Sequence, residues 1–141
     1  MGIEENKANQ LRVYKEVFGK GNLEVIDELF APSYTWKSPF GMEVKGAEGF
    51  KQNFIMMRSA IPDLNFSIED MLAVDDKVIT RFTITGTFTG ELMGIPPTGK
   101  SMSVSGIIIT RWEGGKEVEA WENIDTLAFF QQLGITPPNP S

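Results

Sequence analysis

The spacing of apolar residues changes once along the chain. Up to residue 61 they recur three and four apart, as on one face of a helix, and from Leu64 they alternate, as along a strand. Over residues 4–18, Leu11, Tyr14 and Phe18 stand among Lys and Glu, which predicts a helix stopped by Gly19-Lys20-Gly21. Asn22 is placed to cap a short second helix over 23–30, with Leu23, Ile26, Leu29 and Phe30 inward and Pro32 ending it. Residues 33–38 suit a short strand with Tyr34 and Trp36 facing the same way, and residues 40–46 a loop. A third helix is predicted over 47–60 on the stripe Phe50, Phe54 and Met57. Ile55 and Met56 widen that stripe, so the helix is expected to be well buried, and Pro62-Asp63 ends it.

Beyond this point strands are predicted over 64–74 and 78–88, joined by a turn at Asp75-Asp76-Lys77. The Gly- and Pro-rich stretch 86–100 carries Leu92, Met93 and Ile95. It is expected to cover a pocket mouth or a dimer edge, with those three side chains inward. Two further strands follow, over 101–112 and 116–124. Asp125 is expected to cap a last helix over 126–133, stopped by Gly134, and the cap is preferred to a catalytic role for it. Helices first and strands afterwards predict an α+β fold. Its form is a cone of three N-terminal helices packed on a curved, mainly antiparallel β-sheet enclosing an apolar pocket. One domain is expected over 1–141, with 136–141 a loose tail.

The last two strands also contain the best candidate for chemistry. Met102, Val104, Gly106, Ile108 and Thr110 share parity with Val118, Ala120, Glu122 and Ile124. A three-residue loop, Glu113-Gly114-Gly115, brings these faces to one side of the sheet, pairing Trp112 with Lys116, Thr110 with Val118, Ile108 with Ala120 and Gly106 with Glu122. One carboxylate then sits on an apolar face opposite a residue without a side chain, which points to a small pocket with Glu122 at its floor. Desolvation there is expected to raise its pKa, as an acid–base catalyst near neutral pH requires. The structural alternative is an ion pair to Arg81 or Arg111, which would lower it. Trp36, Phe54, Phe82 and Phe88 are candidate aromatic lining, joined by Met93, Gly106, Ile108 and Ala120. Tyr14 and Tyr34 are candidate donors to a developing oxyanion. The plain alternative is that the aromatics only fill the core.

Composition narrows the chemistry. The 141 residues contain no Cys and no His, so thiol nucleophiles, thiolate or imidazole metal ligands and the usual neutral-pH general base are all missing. Carboxylates, tyrosines, Lys and Arg carry whatever acid–base work is done. A net charge of −6 with dispersed Lys and Arg argues against nucleic acid and anionic membrane as partners. No apolar run approaches the ~20 residues of a membrane helix, and the N-terminus has no secretory pattern, so a cytoplasmic location is expected.

Several stretches resemble the SnoaL-like polyketide cyclase family, within the broader nuclear transport factor two-like superfamily. They are Ala60-Ile61-Pro62-Asp63-Leu64 with Glu69-Asp70, Gly86-Thr87-Phe88-Thr89-Gly90-Glu91, and Met93-Gly94-Ile95-Pro96-Pro97-Thr98-Gly99-Lys100. Gly115-Lys116, Glu119-Ala120-Trp121-Glu122, Asp125 and Gln131-Gln132-Leu133-Gly134 complete the set. The Gly-Ile-Pro-Pro-Thr-Gly-Lys run is the most specific of these. The resemblance implies a cone fold, usually dimeric through the sheet, and an intramolecular aldol ring closure without metal or cofactor. It also implies an acid–base residue at the position of Glu122. The chain departs from the family pattern in having Trp36 where a polar or basic residue is common, and Phe88 and Ala120 where His is common. It also has Glu in place of the usual Asp. The expected function is cofactor-independent acid–base catalysis, a cyclisation or isomerisation, on an apolar carbonyl compound with Glu122 as proton carrier. The alternative is a non-catalytic binding protein for an apolar small molecule. Ile107, Ile109 and Trp121 on the odd faces of the last strands suggest a homodimer.

Overall fold

The change of period in the sequence becomes a division between a helical layer and a sheet. The computed structural model describes residues 2–136, so the expected loose tail, apart from Thr136, lies outside the described residues. The helical layer comprises α1 (Ile3–Val13), a π-helical turn (Tyr14–Gly19), α2 (Glu24–Leu29) and α3 (Gly46–Ala60). The strands are β1 (Phe30–Lys37), β2 (Glu43–Lys45), β3 (Asn65–Val74), β4 (Lys77–Thr87), β5 (Ser101–Glu113) and β6 (Lys116–Ile124), and α4 (Thr126–Leu133) closes the order. They form one six-stranded sheet in the order β2-β1-β6-β5-β4-β3. Helices on a mainly antiparallel sheet are the α+β architecture expected from the pattern.

Several local expectations change. The first helix ends at Val13 and continues as the π-helical turn; Tyr14 and Phe18 lie on the inner side as expected, but α1 itself buries Asn6, Gln10 and Val13 rather than Leu11. Asn22 does not cap α2: Leu23 occupies the cap position without a side-chain hydrogen bond. Pro32 lies inside β1 rather than ending a helix, and part of the expected 40–46 loop is strand β2. In α3, Phe50 and Phe54 are buried but Ile55 is 48% exposed, so the helix is amphipathic rather than well buried. The cap on α4 is present as expected, with Asp125 accepting from the Ala128 amide at 3.0 Å and Gly134 closing the helix in the left-handed conformation.

Two corrections concern the sheet. β1 runs parallel to β6, with Trp36 opposite Ala120, so the sheet is mixed. Alternation of side chains does not distinguish parallel from antiparallel neighbours; the long connection through α3 and the hairpins permits the parallel pairing. The β5–β6 register also differs from the expected one. The turn is the two-residue Gly114-Gly115, with φ of +55° and +79°, and Glu113 faces Lys116. A β-bulge follows, leaving Trp112 opposite Glu117 but Arg111 opposite Glu119. The shorter loop reverses the pairing parity and the bulge restores it. Beyond the bulge the even faces therefore do share a side, but slid so that Ile108 faces Glu122 and Gly106 faces Ile124.

Gly106 thus has a different reason to be glycine. A Cβ there would lie 2.6 Å from Phe82 Cζ, 2.7 Å from Ile124 Cγ2 and 2.8 Å from the Asn123 carbonyl oxygen. Its missing side chain admits the close approach of Phe82 and Ile124 and leaves no pocket floor.

The stretch after β4 folds back on the end of α3, where the Thr89 and Gly90 amides both donate to the Ala60 carbonyl. Leu92 is buried and Ile95 half-buried, as expected of an inward-facing lid. Met93 instead sits in a left-handed turn at φ +46° and is 72% exposed. Among the described residues no helix is long and apolar enough to cross a membrane.

Candidate functional site

Between the helical layer and the inner face of the sheet lies a cavity of about 400 Å³. Its aromatic wall follows from local patterns. Alternation on β1 turns Tyr34 and Trp36 inward, and the four-residue spacing on α3 turns Phe50 and Phe54 toward them. The Trp36 and Phe50 rings are 5.5 Å apart, and Phe30 lies 4.4 Å from Tyr34. Phe18 and Phe66 stack at 5.1 Å and extend the wall.

Glu122 lines this cavity from β6. Its Oε1 accepts a hydrogen bond from Trp36 Nε1 at 3.1 Å. Arg111, one expected ion-pair partner, is engaged by Glu113 and Glu119 instead, and Arg81 is exposed on the other face of the sheet. Glu122 is half-buried, but the surface it keeps opens onto the apolar cavity. Burial therefore dominates and pushes its carboxyl up to about 7, with the Trp36 bond acting in the opposite direction.

The structure places a second acid in the same wall. Glu117 is 3% exposed, and its Oε1 has no hydrogen-bond partner. Burial pushes this carboxyl up to about 8; the nearby Tyr34 phenol favours the charged form without bonding to Oε1. Simple parity assigned Glu117 to the outer face. The signal that could have found it is the Gly114-Gly115 pair, which favours a two-residue turn and so places Glu117 opposite inward-facing Trp112.

Both tyrosines line the same cavity. Tyr14 donates from its hydroxyl to Thr80 Oγ1 at 2.9 Å. Burial raises the Tyr14 and Tyr34 phenols well above their ordinary pKa, and the charges of Glu117 and Glu122 add to the shift. Deeper polar groups are satisfied in a chain: Trp112 Nε1 donates to Thr110 Oγ1 at 3.0 Å, and Thr110 donates to Gln10 Oε1 at 2.5 Å.

Of the residues singled out from the sequence, Glu122, Tyr14, Tyr34, Trp36, Phe54, Met93 and Ile108 border the cavity. Phe82, Phe88, Gly106 and Ala120 lie outside its lining. Phe82 stacks on Phe66 at 4.5 Å, which takes the lining position in front of it. Phe88 packs in a second cluster with Leu92, Met102 and Leu133, and Ala120 is fully buried beside Trp36 on the neighbouring strand. Arg58, from the last turn of α3, also borders the cavity and was not singled out by its pattern.

The family model for SnoaL-like polyketide cyclases matches residues 8–133. A solved SnoaL-like protein from Jannaschia sp. CCS1, assigned as a polyketide cyclase, superposes with a TM-score of 0.87 at 23% identity, covering 97% of each chain. A protein from Acidithiobacillus ferrooxidans, also assigned as a polyketide cyclase, gives 0.78 at 30% identity, covering 95% of this chain and 98% of the other. AclR from Streptomyces galilaeus, assigned as a hydroxylase, gives 0.82 at 29% identity over 99% and 87% of the two chains. No curated protein matches the chain.

Proposed function

Since the chain belongs to the SnoaL-like polyketide cyclase family, we propose that it takes an apolar carbonyl compound into the cavity and that Glu122 carries a proton on it without a cofactor. The observation that carries this is a carboxyl held by Trp36 on an apolar wall, with its pKa raised to about 7. At neutral pH such a group exists in both forms, which is what a proton carrier needs. Glu122 as carboxylate removes a proton from the carbon next to a carbonyl. In a cyclisation the resulting enolate carbon bonds to a second carbonyl carbon of the same molecule, and the new alkoxide takes the proton back from Glu122. In an isomerisation the proton returns to a different carbon. In both, the enzyme's proton balance closes at Glu122. Tyr14 and Tyr34 are the candidate oxyanion donors, and each would exchange its present partner for the oxyanion, Thr80 for Tyr14 and the Glu117 carboxyl for Tyr34.

The test is exchange of the α-protons of 2-tetralone, a bicyclic ketone, in deuterated buffer. The wild-type protein should accelerate exchange, and Glu122→Gln should lose the acceleration while still binding the ketone. Binding without acceleration by the wild type would favour the second reading, a non-catalytic carrier of apolar molecules, which the predominantly apolar wall supports. We also propose a homodimer through the outer face of the sheet, where Ile107 is 49% exposed beside half-buried Ile109 and Trp121. Light scattering that found monomer alone at micromolar concentration would count against that assembly.

A further inference from the structure

Among the described residues lining the cavity, Arg58 is the one that carries a fixed positive charge. It stands four residues after Phe54 on α3, so it extends the same inward stripe. Its guanidinium carbon lies 4.9 Å from the centre of the Phe54 ring. Nη2 donates to the Phe18 carbonyl at 2.9 Å, closing the end of the π-helical turn. That contact uses one of the five N–H groups of the fork. Nε is buried with no hydrogen-bond partner, and Arg58 forms no ion pair with any described carboxylate. A brace for Phe18 needs a single donor. It does not account for a cation with an unmet buried N–H beside an apolar space, a costly arrangement unless an acceptor arrives.

We propose that Arg58 anchors the acidic oxygen of the ligand, so that the molecule taken up is an amphipathic acid with an aromatic or alicyclic body. This rests on the reading of the cavity as a small-molecule site and names its substrate class. The acid end meets the guanidinium beside Phe54, and the body lies along the rings of Phe18 and Phe66 toward Trp36 and Glu122. A carboxylate matches the planar fork better than a neutral carbonyl does, since both of its oxygens can accept. The carboxyls on the sheet side do not oppose an anion strongly, because burial keeps Glu117 mostly protonated at neutral pH and Glu122 partly so.

The test compares three probes of similar size by calorimetry at pH 7.5: 1-naphthaleneacetic acid, its neutral primary amide, and 2-(1-naphthyl)ethylamine. The wild-type protein should bind the acid about tenfold more tightly than the amide, the increment of one charge-assisted contact. Arg58→Met should abolish that ratio while changing amide affinity little, and Arg58→Lys should restore part of it. The ratio is read within each protein, so a merely structural role for Arg58 would not move it. Equal affinity of wild type for acid and amide, or tightest binding of the amine, overturns the proposal while leaving the small-molecule site standing. Failure of all three probes to bind overturns the small-molecule reading and this inference with it. Should Arg58→Met not fold, the acid-to-amide ratio of wild type and the Lys variant decides.

Discussion

Trp36 Nε1 donates to Glu122 Oε1 at 3.1 Å across the parallel β1–β6 pair. Trp36 lies opposite Ala120, and Glu122 is the next inward residue along β6, so the indole reaches it diagonally. The bond favours the charged carboxylate, while burial disfavours it more strongly. Trp36→Phe keeps a ring in the wall and removes the donor. The Glu122 midpoint should then rise by about one unit, followed by carbon-detected NMR. An unmoved midpoint would show that the contact contributes nothing to the charge balance.

Glu122 should lower stability as the pH rises. Its folded pKa of about 7 exceeds its ordinary 4.5. Below the ordinary value both states hold the proton and there is no effect. Between the two values the unfolded chain has released the proton and the folded chain has not, so stability falls. Above the folded value the penalty is complete, on the order of 3 kcal/mol. Glu122→Gln lacks the penalty and can still accept from Trp36. It should melt like the wild type near pH 4.5 and well above it at pH 8; a lower melting temperature at pH 8 would overturn this.

Glu117 extends the same window upward. Its folded pKa of about 8, against 4.5, means stability continues to fall until the pH passes the folded value. In Glu117→Gln the decline should be smaller and end near pH 7, and in the double Gln variant it should be nearly flat. Melting curves from pH 4.5 to 9 check this, and an unchanged slope in the Glu117 variant would place its carboxyl in contact with water.

Gly106→Ala should cost about 2 kcal/mol, the usual range for forcing a methyl group into a filled space. Of the three atoms it would meet, the Asn123 carbonyl belongs to the backbone and cannot move aside alone. Urea unfolding measures the loss. A neutral result would mean that β5 and β6 can separate locally.

Asp125→Ala removes the acceptor for the Ala128 amide and should cost about 1 kcal/mol. Asp125→Asn, which keeps an acceptor, should recover most of it. If both variants lose α-proton exchange activity while keeping stability, Asp125 belongs to the site rather than to the helix end.

Local chemistry made much of the architecture legible. The stripe of α3, the alternation of β4 and β5 and the Asp125 cap each depend on neighbours within a few residues, which is the range over which side-chain period and capping act. α1 instead buries Asn6, Gln10 and Val13 rather than Leu11, and a bulge after Ile68 in β3 leaves Leu72 and Val74 exposed and packs Met71 and Ala73 against the core. Glu122 was legible on the same local scale, as a carboxylate out of place on an alternating apolar face. Its surroundings were not. The pairing of β1 with β6, which supplies the Trp36 donor, joins residues far apart in the chain. Glu117 turns inward because of a turn and a bulge that together preserve parity while sliding the register. The placing of Gly106 against Ile124 and of Arg58 beside an apolar space belongs to the same class. Side-chain period tells which face a residue occupies on its own element. Which atoms stand opposite it is decided only when distant strands and helices pack, because packing selects one register among several that the local pattern satisfies equally well.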